Sequence, residues 1–185
     1  MKLLIVNSTP GTKPVAEPDV TLVTDSSIVL PKNPLFIPDY APEYVIEALP
    51  AVRISRLGKT ISAKFAHRYY DAFTLLLRVL PVIDGKPAHR GSAIYTAYDS
   101  AIIKGDWIET LPENDFTVTL GDKSCTASIP ELNIDETISA LSKYFSLKMG
   151  DIIAPCHFPL THIPLPDTRL TAKVGDKEII NIKIK

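Results

Sequence analysis

The chain has 185 residues, a length that suits one domain whose core needs no disulfide or metal to stabilise it. Its 20 Lys and Arg residues against 21 Asp and Glu residues give a net charge of −1, and without a basic block we expect no nucleic-acid partner. The two cysteines form no disulfide framework, and no apolar run is long enough to cross a bilayer. We therefore expect a cytoplasmic protein that does not bind membranes.

Short β-type runs dominate the first third of the chain. Residues 3–6, 20–23, 28–30 and 35–37 are predicted strands, and residues 8–18 form a loop because they contain three prolines and a glycine. Residues 44–55 then read as one long, mostly apolar strand, which ends at the turn 57–59. This strand organises the rest of the chain.

A helix is predicted over residues 63–71. Ser62 can cap its first turn, and Phe65, Tyr69 and Ala72 fall on one face. The following run, 73–80, is short and apolar, and periodicity alone cannot separate a strand from a helix there. Residues 84–91 are expected to form a polar loop.

The C-terminal half contains two predicted hairpins and one helix between them. The hairpins join residues 116–120 to 124–129 around Gly121, and 171–174 to 178–184 around Gly175, because glycine supplies the positive φ that such turns need. In the helix, Asn133 and Glu136 resemble a capping box, and Ile134, Ile138, Leu141 and Phe145 recur at helical spacing. The pattern predicts a β-rich α+β domain with a rolled or sandwiched sheet and two or so helices.

Glu47 is the only carboxylate on the long strand. Charged side chains are seldom buried unless a partner neutralises them, so Glu47 is a ligand, an ion-pair partner or an exposed edge residue. Of these, we favour an ion pair, with Arg78 or another cation, over a metal ligand.

Other polar residues carry weaker signals. Cys156, His157 and His162 could bind zinc or nickel, but without a second Cys/His cluster a loop with incidental polar side chains is favoured. Asp84 and His89 could form an acid–base pair in a loop, although no orienting partner is evident. His67 is interpreted as a packing or hydrogen-bonding residue rather than a base, and Cys125 as a small hydrophobic residue of a hairpin strand.

Three segments together resemble the fumarylacetoacetate hydrolase family. They are 56–62 (RLGKTIS), 65–72 (FAHRYYDA) and 144–153 (YFSLKMGDII), and Asp25-Ser26-Ser27 also fits. The resemblance covers nearly the whole chain from Glu17 onward and implies a mixed β-roll, a homodimer and a single domain with an arm at 1–19 and a core at 20–185. It also implies metal-assisted cleavage, isomerisation or decarboxylation of acylpyruvate-like or hydroxymuconate-like diacids.

Family members bind a hard ion, Mg²⁺ or Ca²⁺, through an E-x-E pair on the long strand and an Asp after the helix. Such an ion polarises a dicarbonyl and stabilises the enolate, and it prefers oxygen ligands. Counted onto this chain, the E-x-E pair falls on Glu47 and Leu49, and the Asp position falls on Arg78. Only Glu47 keeps the ligand type, and the Arg78 guanidinium could replace the metal as its partner.

Other positions implied by the resemblance also differ. Two family lysines correspond to Val23 and Thr96, a T-G-T-P turn is replaced by residues 155–158 with His157, the lid over 7–16 is short and lacks histidine, and the loop between Val82 and Thr96 is shortened. We therefore predict no bound metal and an inactive or altered protein that serves as a binding module or assembly partner, with a small organic acid as the candidate ligand. The alternative is an active hydrolase or isomerase with a rearranged site that uses Glu47, Asp39, Glu43, Asp84 or the 156–157 loop.

Overall fold

The computed structural model describes residues 1–89, 93–112 and 115–185. Its helices are α1 (Ala63–Ala66), α2 (Ala93–Thr96) and α3 (Ile134–Tyr144), and 3₁₀ turns cover Asp25–Ser27 and Pro130–Leu132. The strands are β1 (Lys2–Val6), β2 (Val20–Thr24), β3 (Ile28–Val29), β4 (Tyr44–Ile54), β5 (Tyr70–Ile83), β6 (Lys86–Pro87), β7 (Ile102–Lys104), β8 (Asp115–Leu120), β9 (Lys123–Ser128), β10 (Ile152–Ala154), β11 (Thr161–His162), β12 (Arg169–Val174) and β13 (Lys177–Lys183).

Two sheets make up the fold. The larger is mixed, with strand order β2-β1-β10-β4-β5-β7-β3, while β11 pairs with β4 and β6 pairs with β5. The smaller is antiparallel with order β13-β12-β8-β9. β1 is an interior strand of the large sheet, so Lys2–Val6 is part of the core, although the arm was expected to extend over residues 1–19.

The main core lies between the large sheet, the small sheet and α3. Phe73 and Leu75 of β5 belong to the same buried cluster as Val118 of β8 and Ile138 and Leu141 of α3. Phe73 also packs edge-to-face on Phe116 at a centroid distance of 5.9 Å. The predicted α+β class with a rolled sheet and few helices is confirmed.

A second apolar cluster lies on the opposite face of the large sheet. It brings Leu3 of β1 and Val23 of β2 against Leu49 of β4 and Leu76 of β5, all fully buried. Neighbouring strands from β2 to β7 contribute to this cluster along one face of the sheet. β4 is therefore buried on both faces, and this explains its nearly continuous apolar sequence.

Both predicted hairpins are present, with Gly121 at φ 60° and Gly175 at φ 57° in their turns. The predicted helix over 63–71 is wrong beyond its first turn. β5 begins at Tyr70 and, up to Pro81, pairs antiparallel with the whole of β4. Long-range strand pairing thus overrides the local helical spacing. Residues 35–37 form only an isolated bridge between Leu35 and Ile184 rather than a strand.

The capping predictions for α1 and α3 are also wrong. Ser62 and Asn133 occupy the N-cap positions, but neither side chain makes a capping hydrogen bond. Asn133 has φ 49°, a left-handed conformation that asparagine tolerates, and its Nδ2 donates to the carbonyls of Thr12 and Glu131. The hydrogen bond to Thr12 therefore holds the N-terminal segment against the start of α3.

No helix among the described residues is long and apolar enough to span a bilayer.

Candidate functional site

Glu47 and Arg78 are directly opposite each other on β4 and β5, which are antiparallel neighbours. Directly opposite residues project to the same face, so their side chains can meet. Arg78 Nη2 lies 3.1 Å from Glu47 Oε2, and Arg78 is fully buried while the Glu47 side chain is 5% exposed. The predicted ion pair is confirmed, and it is a buried one.

Three further residues complete a hydrogen-bonded ring around this pair. His89 Nε2 lies 2.6 Å from Glu47 Oε1, and Arg78 Nη1 donates to Asn7 Oδ1 over 3.0 Å. Asn7 Nδ2 donates to Thr21 Oγ1, which in turn donates to the His89 carbonyl. Both carboxylate oxygens of Glu47 are thereby engaged by protein groups.

The pair fixes the charge state of Glu47. Burial by itself raises the pKa of a carboxyl group, but the hydrogen bond from His89 and the charge of Arg78 outweigh burial and lower the pKa of Glu47. Burial lowers the pKa of Arg78, and the neighbouring Glu47 opposes that shift. Because ionised Glu47 can only accept, His89 Nε2 must donate to it.

A cavity of about 400 Å³, which we call the head pocket, opens beside this ring and is lined by Asn7, Pro87, Ala88, His89 and His157. The His89 and His157 rings are 5.5 Å apart and tilted by 32°. His157 is held in place by its backbone N–H, which donates to the Ser8 carbonyl. The head pocket therefore presents two imidazoles and an amide to any ligand.

Burial lowers the pKa of His157 below its ordinary 6.5, with Arg78 and His89 adding to the shift and Glu47 opposing it. The unfolded chain then binds more protons than the folded one between the lowered pKa and 6.5, so the free energy of unfolding should fall as the pH drops through that window. We expect His157→Gln to flatten this part of the stability–pH profile, measured by urea unfolding at pH 7.5 to 5. An unchanged slope would contradict the lowered pKa of the half-buried His157.

The remaining sequence-predicted positions are dispersed. Leu49 and Val23 are buried in the second apolar cluster, and Thr96 is buried at the end of α2. The candidates Asp39 and Asp84 for a rearranged site are exposed, and neither contributes to the ring; Glu43 lines a different cavity. Part of the loop over 84–91 and of the shortened loop before Thr96 lies outside the described residues.

His89 contacts Glu47 rather than Asp84, its weakly indicated partner from the sequence. Asn7 and Thr21 were also missed as site residues, since both reach the ring from segments far away in the sequence. A fully buried arginine needs more acceptors than one carboxylate, and that requirement is the only sequence signal for Asn7.

A divalent ion does not fit these residues. Mg²⁺ and Ca²⁺ need several free oxygen ligands, but the oxygens of Glu47 are taken and the residue opposite is a guanidinium. Among the described ranges 1–89, 93–112 and 115–185, no group of three or more His, Cys, Asp or Glu side chains could hold a metal. Cys156 is buried and His162 lies against the Gly121 turn, so the described structure does not gather Cys156, His157 and His162 into one set of metal ligands.

No protein-family model and no curated protein matches the sequence. Among solved structures, a Yersinia pestis protein provisionally assigned to the fumarylacetoacetate hydrolase family matches with a TM-score of 0.82 and 18% identity, over 100% of this chain and 92% of the other. Maleylpyruvate hydrolase from Sphingobium matches with a TM-score of 0.79 and 20% identity, over 99% and 70%. Fumarylpyruvate hydrolase from Pseudomonas aeruginosa, in complex with Mn²⁺ and pyruvate, matches with a TM-score of 0.79 and 16% identity, over 100% and 89%.

The chain thus has the fold of the fumarylacetoacetate hydrolase family and of related hydrolases and isomerases. The fold implied by the sequence resemblance is confirmed.

Proposed function

We propose that this chain is a member of the fumarylacetoacetate hydrolase family that has lost metal-dependent catalysis and keeps its pocket as a metal-free binding site. One observation carries the proposal: the buried Glu47–Arg78 ion pair occupies the place where the resemblance puts two carboxylate ligands. A fixed guanidinium supplies the positive charge that a metal would otherwise supply to Glu47.

The ring around the pair supports the same proposal. Asn7 accepts a hydrogen bond from Arg78, and His89 bonds to Glu47, so a metal ion would have to break these hydrogen bonds in order to bind Glu47. Leu49 lies two residues from Glu47, on the same face of β4, and contributes packing where a second carboxylate would be required.

The proposed protein is a cytoplasmic homodimer that takes a small organic acid and binds neither nucleic acid nor membrane. The two histidines that line the head pocket, together with the charge of the buried Arg78 beside Glu47, favour a ligand that accepts hydrogen bonds. Light scattering on the purified chain checks the dimer.

A thermal-unfolding titration with Mn²⁺, Mg²⁺ and Ca²⁺ tests the loss of metal. A ligand that binds the folded state raises the melting temperature by mass action, so we expect no rise with any of the three ions. An acylpyruvate should not be cleaved at a rate above that of the buffer. A metal-dependent rise in melting temperature, or turnover that disappears in Glu47→Ala, would overturn the proposal.

The second candidate is an active hydrolase or isomerase with a rearranged, metal-free site. The contact between His89 Nε2 and Glu47 Oε1 favours it, since a carboxylate that orients a histidine beside a pocket is a common acid–base arrangement. Turnover of an acylpyruvate in EDTA that is lost in His89→Gln would support this candidate over the inactive protein.

A further inference from the structure

A second cavity borders the head pocket and is not part of the Glu47–Arg78 site described above. This apolar cleft has a volume of about 630 Å³ and is lined mainly by aliphatic and proline side chains, among them Ile37, Pro42, Val45, Val82, Ile163 and Pro164. Its size is in the range of small-molecule sites.

The two cavities adjoin along the large sheet. Pro87 of β6 lines both of them, and it pairs with Val82 of β5, which lines the cleft. Val45 lies two residues before Glu47 on β4, so both side chains project to the same face. A ligand that begins beside the Glu47–Arg78 pair can therefore continue past Pro87 onto Val45 and Val82.

The head pocket calls for a hydrogen-bond acceptor. His157 lines the pocket, and its buried Nδ1 has no hydrogen-bond partner among the described residues. Arg78 Nε is also unpartnered, but Arg78 is fully buried and is not among the residues that line the pocket. Leaving a group such as His157 Nδ1 unpaired costs free energy, which a hydrogen bond to a ligand would recover. A carboxylate would also favour a proton on His157, whose ring is faced by Glu47, Arg78 and His89.

The cleft calls for the opposite chemistry. Among the described residues that line it, the polar side chains are those of Glu43, Tyr44 and Thr161, and the exposed carboxylate of Glu43 would repel a second negative charge. An apolar chain gains free energy there by leaving water, whereas the far end of a diacid would lose it.

We propose that the two adjoining cavities bind a monocarboxylic acid with an unbranched apolar chain, with its carboxylate in the head pocket and its chain in the cleft. This inference rests on the proposed metal-free binding site and names its ligand class. This ligand class differs from the short diacids that the sequence resemblance implies as substrates.

Calorimetric titration in EDTA with acetate, butanoate, hexanoate and octanoate tests the inference. Each buried methylene should tighten binding about fourfold, and octanedioate, the diacid of the same length, should bind at least tenfold more weakly than octanoate, since hydrophobic transfer scales with buried area. One octanoate should bind per chain. Affinity independent of chain length, or octanedioate binding as tightly as octanoate, would overturn the inference.

Ile163→Asp is the sharpest variant, because Ile163 lines the cleft and is 70% exposed, so its replacement should not disturb folding. It should weaken octanoate binding at least tenfold and leave acetate binding unchanged. Leu165→Asp is the matched control: it lies in the same loop, is 58% exposed and is not among the residues that line the cleft. Equal effects of the two variants on octanoate would show that the chain does not enter the cleft.

The head of the ligand is tested separately. Octanoate should bind more tightly at pH 6 than at pH 8, and His157→Gln should remove this difference; a pH-independent affinity in the wild-type chain would contradict the placement of the carboxylate. The metal titration keeps the two proposals apart. If octanoate binds in EDTA and Mn²⁺ also stabilises the protein, the proposed loss of metal fails while the ligand class stands.

Discussion

Replacing Arg78 with methionine is expected to lower the free energy of unfolding by about 3–5 kcal/mol, the usual cost of removing one partner from a buried ion pair. Methionine fills much of the space of the arginine stem, so the loss comes from charge rather than from a cavity. Glu47 would remain on a buried strand position with His89 as its only remaining partner in the ring. Urea unfolding at pH 7.5 measures the change.

The variant should also respond to acid in the opposite sense to the wild-type chain. In the wild-type chain the pKa of Glu47 lies below its ordinary 4.5, so its contribution to stability is present above that value and is lost as the pH falls through the folded-state pKa. Without Arg78, burial raises the pKa of Glu47 and protonation relieves the penalty. The difference in stability between Arg78→Met and wild type should therefore shrink as the pH approaches 4.5.

Two controls separate the buried charge from other effects. Arg53→Met makes the same substitution on the same sheet, but Arg53 pairs with the exposed Asp71 and Glu109, and such surface pairs contribute about 0–1 kcal/mol. The double variant Glu47→Gln/Arg78→Met removes both charges and should recover part of the lost stability. An Arg78→Met variant no less stable than Arg53→Met would show that the pair is not buried as described.

The β-rich fold could largely be predicted from the sequence, because its strongest signals are local. Gly121 and Gly175 mark turns between alternating strands, and Ile138 and Leu141 mark the buried face of α3. Predictions failed where long-range pairing decides the structure. Tyr70 joins β5 rather than a helix because β4 offers it a partner strand, and no local spacing encodes that partner.

The candidate site was predictable only in part for the same reason. Glu47 and Arg78 could be placed opposite each other because the resemblance supplies the register of two adjacent strands. His89 and Asn7 reach the pair from a loop and from the segment after β1, and their positions depend on how those segments fold over the sheet. The apolar cleft combines residues from segments that are distant in sequence, so it becomes visible only in three dimensions.

Restoring the carboxylates implied by the resemblance should restore metal binding. In the double variant Leu49→Glu/Arg78→Asp, three carboxylates would project to one face at the junction of β4 and β5, since residues 47 and 49 share a face and residue 78 is directly opposite Glu47. Without metal, their mutual repulsion and burial should make this variant much less stable than wild type. Mn²⁺ at a hundredfold excess over its dissociation constant should then stabilise it by about 2.7 kcal/mol.

The isosteric variant Leu49→Gln/Arg78→Asn is the control, because it introduces side chains of the same size without the charges. It should not respond to Mn²⁺, and neither should the wild-type chain. If the double variant fails to fold in EDTA, refolding in the presence of Mn²⁺ followed by circular dichroism gives the same information, since metal binding is then coupled to folding. If the double variant folds but Mn²⁺ does not change its stability, Glu47, Leu49 and Arg78 do not occupy the ligand positions.

The outcome also bears on the proposed loss of the metal site. Arg78 neutralises Glu47 without any ligand from solution, so a chain that acquired this arginine would retain a stable strand pair after its other carboxylates were replaced. Leu49 then adds apolar packing to the second cluster, which a glutamate at that position would disrupt. Arg78→Asp alone should therefore be less stable than Leu49→Glu/Arg78→Asp in Mn²⁺, because it lacks the third carboxylate that helps to hold the ion, and the ion is what neutralises the charges of residues 47 and 78. The reverse order of stability would mean that the packing of Leu49, rather than the guanidinium of Arg78, is what excludes the metal.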